Sequence, residues 1–175
     1  PPVSEAEMWE RMEKFVKSVI PVAEKAGVRM ALHPDDPPVP EPLGGVAQIC
    51  STLEQFRRIF AIHPSPHHTM LFCQGCMTEL LGQGVYDAIA EMARARKIAW
   101  VHFRNVRGQL PRFAEVFIDE GDIDMRRAME IYRDNGFNGP YMMDHTPHFP
   151  SGRSDWLGKA YANGYIRALI QTVYG

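Results

Sequence analysis

Apolar residues along this chain fall into two rhythms. Four short runs, Val28 to Leu32, Thr69 to Phe72, Ile98 to Phe103 and Tyr141 to Met143, have the length of strands and are bounded by polar or turn residues. Between them the apolar positions recur at helical spacing. Ser4-Glu5-Ala6-Glu7 has the form of a capping box, followed by Met8, Met12, Phe15, Val16, Val19 and Ile20, with Gly27 placed to end the helix after Lys25. Ser51/Thr52 with Gln55 marks a second start, running through Phe56, Ile59 and Phe60 and stopping before Pro64. Val85 to Lys97 is amphipathic, and Asp122 is expected to cap a helix through Met125, Ala128, Met129 and Tyr132 that ends at Asn135-Gly136. The tail from about Asp155 to Tyr174 reads as the last helix. Two stretches read as loops: Asp35-Asp36-Pro37-Pro38-Val39-Pro40, long and functional, and Arg104 to about Glu120, with an apolar patch at Phe113 to Ile118.

The resulting order, α-βα-βα-βα-βα, implies an α/β fold with parallel strands joined by right-handed crossovers. Residues 1–175 read as one domain. Four such units are half of an eight-fold barrel, and a four-stranded sheet standing alone leaves its edges open. The other half lies on further sequence, or two copies pair, or the sheet is open and flavodoxin-like; the pattern fits all three.

Each strand-like run gives way to a polar loop at a residue able to bind a metal: His33, Cys73 and Asp144 follow their runs, and His102 lies just inside the end of its own. The gaps between them are 40, 29 and 42 positions, each long enough for a helix. In a parallel array every strand's C-terminal end faces the same side, so these residues are expected to converge. Two imidazoles, a thiolate and a carboxylate make a credible shell for one divalent cation. Alternation sets His102 on the face opposite Val101 and Phe103. Arg104 is a candidate clamp for a substrate carboxylate, weighed evenly against a structural salt bridge. Asn105 fits a turn residue. His145 is a candidate general acid or base, its unperturbed pKa being near neutrality. Cys76 lies beyond the strand end and is the weaker thiol candidate, Cys50 is expected to be structural, and His63, His67 and His68, interrupted by Pro64 and Pro66, read as solvated.

Composition removes several function classes. The chain is 45% hydrophobic and 23% charged with a formal net charge of -2, and no basic run with interleaved aromatics marks a nucleic-acid partner. No apolar stretch has the length of a membrane span, and the N-terminus is too charged and broken for a signal peptide. Three cysteines without zinc-ribbon spacing fit free thiols in a reducing cytoplasm. The start at Pro1, without an initiator Met, is expected of a processed or truncated product.

With these residues in hand the chain resembles the D-mannonate dehydratase family, metal-dependent sugar-acid dehydratases of the xylose-isomerase-like TIM-barrel group. The strongest block is Gly27-Val28-Arg29-Met30-Ala31-Leu32-His33-Pro34-Asp35-Asp36-Pro37-Pro38 with Leu43-Gly44-Gly45-Val46. Phe72-Cys73-Gln74-Gly75, Val101-His102-Phe103-Arg104-Asn105-Val106 and Asp144-His145 follow in the family's order. The resemblance implies that His33, Cys73, His102 and Asp144 bind Mn²⁺ or Fe²⁺. It also implies dehydration of D-mannonate to 2-dehydro-3-deoxy-D-gluconate in hexuronate catabolism. The family's chain is roughly twice as long, so this one corresponds to a C-terminal half-barrel, strands five to eight. A homo-oligomer or pairing with an N-terminal half is therefore expected. The family's Gly-Tyr-Gly segment after the Asp-His pair is not evident here; Trp156 and Tyr161 are the nearest aromatics.

Overall fold

A computed structural model describes residues 2–148 and 155–175. It begins with α1 (Glu5–Ala26), β1 (Met30–Leu32), α2 (Leu53–Ile62) and β2 (His68–Cys73). Then come α3 (Gln74–Leu81), a 3-10 turn (Gly82–Gly84), α4 (Val85–Arg94) and β3 (Ile98–His102). The chain continues with β4 (Val106–Gln109), β5 (Arg112–Glu115), α5 (Met125–Asp134), β6 (Tyr141–Met142) and α6 (Asp155–Val173). Strands β1, β2, β3 and β6 form one sheet in that order, every pair parallel, with a helix in each connection. This is the parallel βα order that the periodicity predicts.

Both expected capping boxes are present. Ser4 and Glu7 bond reciprocally at the start of α1, and Thr52 with Gln55 does the same for α2. Gly27 ends α1 with φ at 66°, a left-handed conformation that costs a glycine little. Helices cover one face of the sheet. Phe72, Val101 and Phe103 point into it and are fully buried with Phe56, Ile59, Ile89, Met129 and Tyr132. Tyr132 meets Phe72 and Tyr141 edge to face, at ring separations of 6.0 and 5.6 Å. The opposite face carries Ala31, Leu71, Cys73, Trp100 and His102, and is open enough that Trp100 remains 39% exposed.

Four expectations need correction. Gln74–Leu81 forms α3, where no helix is predicted. Val106–Gln109 and Arg112–Glu115 pair as an antiparallel hairpin where a loop is expected. Asp124, not Asp122, caps α5, its carboxylate accepting from the Arg127 N–H; Asp122 instead accepts from the Gly108 N–H at 2.7 Å. His68 is buried rather than solvated: it opens β2, takes a T-shaped contact with Phe60, and its Nδ1 faces the His63 carbonyl at 3.1 Å. The two prolines that suggest a solvated loop end just before the strand that carries His68 inward. Among the described residues no helix is long and apolar enough to cross a membrane.

Candidate metal centre

Strand register assembles the site. Cys73 lies opposite His102, and His102 opposite Met142, two residues before Asp144. Leu32, opposite Met70, delivers His33 to the same rim. One ligand atom from each of His33, Cys73, His102 and Asp144 lies within 4.8 Å of the other three. All four expected residues therefore meet at the C-terminal ends of the strands.

Each side chain is held from behind. His33 Nδ1 is 2.6 Å from the Pro34 carbonyl. A carbonyl only accepts, so that nitrogen carries the hydrogen and Nε2 is left with its lone pair. The His33 and His102 rings stand 5.2 Å apart. Asp144 takes a positive φ of 66°, which Asp tolerates better than most residues, and this turns its carboxylate back over the strand end. His102 Nδ1 is buried without a hydrogen-bond partner, although Asp144 Oδ2 lies 3.3 Å away.

The electrostatics ask for positive charge at the centre. Burial opposes ionisation of Cys73, yet contacts from Cys76, His102 and His33 and the charge of Arg104 hold its thiol well below the ordinary range. Burial also disfavours a charged His102, but the Asp144 carboxylate and the Cys73 sulfur outweigh it and push its pKa up to about 9. Contact with Cys73 likewise raises His33 against burial. Asp144 is lowered, its gain from His102 exceeding the cost of burial. A thiolate and a carboxylate thus favour positive charge on the two imidazoles, a charge that a divalent cation would supply in their place. An orphaned buried nitrogen and a mixed N, S and O donor set fit such an ion.

Arg104 is at the hub of a second layer, with its side chain only 3% exposed. Its Nη1 donates to Glu79 Oε1 at 3.1 Å and to Glu115 Oε1 at 2.6 Å. Its Nη2 donates to Asp36 Oδ2 at 3.1 Å and to Cys76 Sγ at 3.3 Å, and Nε lies 3.3 Å from Asp144 Oδ2. The guanidinium is thereby surrounded by the chain's own carboxylates. Gly75 permits this approach, since a Cβ there would fall 2.3 Å from Arg104 Nη1. Asp36, Glu79 and Glu115 are site residues that the sequence reading misses. Asn105 is buried and pins the following loop, donating to the carbonyls of Ile118 and Ile123.

His145 is half exposed, with Nε2 at 3.4 Å from Asp144 Oδ2 and Nδ1 at 3.9 Å from Glu115 Oε2. It flanks the ligand group on the open side. Tyr161 donates to Asp119 at 2.6 Å and Trp156 is exposed. Residues 149–154, where part of the segment after Asp144-His145 runs, lie outside the described residues. Cys50 is buried, with its backbone N–H donated to Asp35 Oδ2 at 2.7 Å.

Parallel β/α units with a ligand cluster on the C-terminal rim define a class, the xylose-isomerase-like barrels. The fold agrees with a xylose isomerase domain protein from Alicyclobacillus acidocaldarius at a TM-score of 0.71 and 15% identity, over 99% of this chain and 63% of that one. The likeness is greater to the crystal structure of mannonate dehydratase from Streptococcus suis serotype 2: TM-score 0.78 and 29% identity, covering 97% of this chain and 51% of that one. The family model for D-mannonate dehydratase (UxuA) matches residues 2–173, and the chain belongs to that family. Mannonate dehydratase of Lactococcus lactis subsp. lactis is 32% identical over 184 residues, covering 97% of this chain and 51% of the relative. The chain thus spans about half the length of the curated relatives it matches.

Proposed function

We propose that this chain carries the metal-binding half of a hydro-lyase that converts D-mannonate to 2-dehydro-3-deoxy-D-gluconate and water. The observation that supports it is the convergence of His33, Cys73, His102 and Asp144 within 4.8 Å in a member of this family. These four side chains would hold Mn²⁺, with Fe²⁺ as the other candidate. A bound divalent cation supplies Lewis acidity toward substrate oxygens and stabilises the negative charge that develops in the reaction.

The reaction removes the C2 proton beside the carboxylate and expels the C3 hydroxyl as water. His145 is assigned the proton transfer: it borders the ligand group and is open to solvent on its other side. Arg104 is assigned the orientation of charge in the site. Its guanidinium steadies Asp144 and the Asp36 loop, and a substrate carboxylate reaches it by displacing one of the carboxylates already there.

His102→Ala is expected to lower Mn²⁺ affinity by at least about ten-fold; unchanged metal content by elemental analysis would reject the ligand assignment. Replacing His145 with Ala is expected to leave metal in place and reduce turnover by about 10² or more. Loss of metal in that variant would make His145 a structural residue.

One observation favours a second reading, a half-barrel that binds metal without turnover by itself: the chain covers about half of its relatives' length. In both readings the open face bearing Ala31, Leu71 and Trp100 is covered by another half-barrel, from the same polypeptide or a second copy. Assay of D-mannonate dehydration by the 175-residue chain beside its native reading frame separates them. Activity in the chain alone eliminates the inert reading.

A further inference from the structure

Cys73-Gln74-Gly75-Cys76 joins the end of β2 to the first turn of α3, with Cys73 at the N-cap and Cys76 three residues on. Two cysteines at this spacing, at a helix start that follows a parallel strand, are the arrangement of dithiol redox centres. Cys73 is the extended N-cap residue and Cys76 the third residue of the helix, the pair of positions that face each other across a helix start. The Cys73 and Cys76 side chains interact directly. Both are free and buried. Arg104 Nη2 donates to Cys76 at 3.3 Å and restrains that sulfur. The dehydration assigned above makes no use of Cys76.

We propose that Cys73 and Cys76 form a reversible disulfide, and that its formation withdraws Cys73 from the cation site. The withdrawal rests on the reading of Cys73 as a metal ligand; the disulfide itself does not. Hydrogen peroxide is the oxidant in this scheme. The Cys73 thiolate attacks one peroxide oxygen, forming an S–O bond as the O–O bond breaks and hydroxide leaves. The Cys76 sulfur then attacks the Cys73 sulfenic acid. An S–S bond forms, the S–O bond breaks, and the departing hydroxide takes the Cys76 proton as water. Two thiols are oxidised to one disulfide, and one peroxide is reduced to two waters. A bound cation occupies the Cys73 lone pair and slows the first step, so the metal-free site is the sensitive form.

The test is peroxide treatment of the intact chain, with and without Mn²⁺, followed by thiol counting, peptide mapping by mass spectrometry and Mn²⁺ titration. The expected result is loss of two of the three free thiols, a peptide linking Cys73 to Cys76, and loss of Mn²⁺ uptake. Dithiothreitol should restore both thiols and uptake, and prior loading with Mn²⁺ should slow the loss. Intact thiols, or Cys73 passing directly to sulfonic acid in the parent chain, would overturn the disulfide. Cys76→Ser should give no linked peptide, and its Cys73 should over-oxidise beyond recovery by dithiothreitol; full recovery there would also overturn it. A disulfide with unchanged Mn²⁺ uptake overturns the withdrawal and Cys73 as a ligand. Absence of Mn²⁺ uptake by the reduced parent defeats the site reading alone, and the peptide map still decides the disulfide.

Discussion

Asp144 departs from β6 in a left-handed conformation, and Arg104 is buried among carboxylates drawn from four separate segments. The contrast explains which residues a sequence discloses. His33, Cys73, His102 and Asp144 each close an apolar run, so strand geometry alone sends them to one rim. Asp36, Glu79 and Glu115 have no such local mark. Their shared partner is 68, 25 and 11 positions away, and only the folded chain brings them to it. Glu79 also leads to a pH prediction. Burial, with Asp36 adding to it against the pull of Arg104, pushes its pKa up to about 7. An unfolded Glu titrates at about 4.3. Between these values the folded chain holds a proton that the unfolded chain has lost. The stability Glu79 contributes is therefore complete below the unfolded pKa and declines as pH rises, by about 1.4 kcal/mol per unit for one proton, until the folded pKa is passed. Urea unfolding of metal-free protein at pH 5 and pH 8 should show this decline in the parent and a flatter dependence in Glu79→Gln. Equal slopes in the two proteins would contradict the assignment.

At the level of elements, helices with a one-sided apolar stripe are legible and those without one are not. Glu5–Ala26 and Leu53–Ile62 carry both the stripe and a capping box, and both form as the pattern predicts. Gln74–Leu81 has neither. It is buried from Gln74 through Glu79, so no polar face alternates with an apolar one, and Cys73 makes no side-chain cap bond. The hairpin is hidden for another reason. Arg107, Gly108, Gln109 and Arg112 interrupt any apolar alternation, and its support comes from outside: Asp122 accepts from the Gly108 N–H, and Asn105 holds the carbonyls of Ile118 and Ile123. At Thr52 the local signal and the bonds coincide. Its hydroxyl accepts from the Gln55 N–H at 3.1 Å, and Gln55 Oε1 accepts from Thr52 N–H at 3.0 Å. Thr52→Ala is expected to cost about 1 kcal/mol in chemical denaturation. A loss below a few tenths would show that the Thr52 hydroxyl contributes little to the start of α2.

For the whole molecule, the number and direction of the strands in the main sheet are readable from the order of elements, whereas closure is not. β1 and β6 are the outer strands of the four-stranded sheet, and its inner face retains an exposed Trp100. His33, Cys73, His102 and Asp144 nonetheless all lie at strand ends that this chain supplies. The central claim is accordingly local: two nitrogens, one sulfur and one carboxylate oxygen share a single ion. X-ray absorption at the manganese edge of the Mn²⁺-loaded chain tests it most directly. One sulfur neighbour among nitrogen and oxygen donors, lost in Cys73→Ser, is the predicted spectrum. A shell of oxygen and nitrogen alone, identical in the parent and in Cys73→Ser, would contradict it.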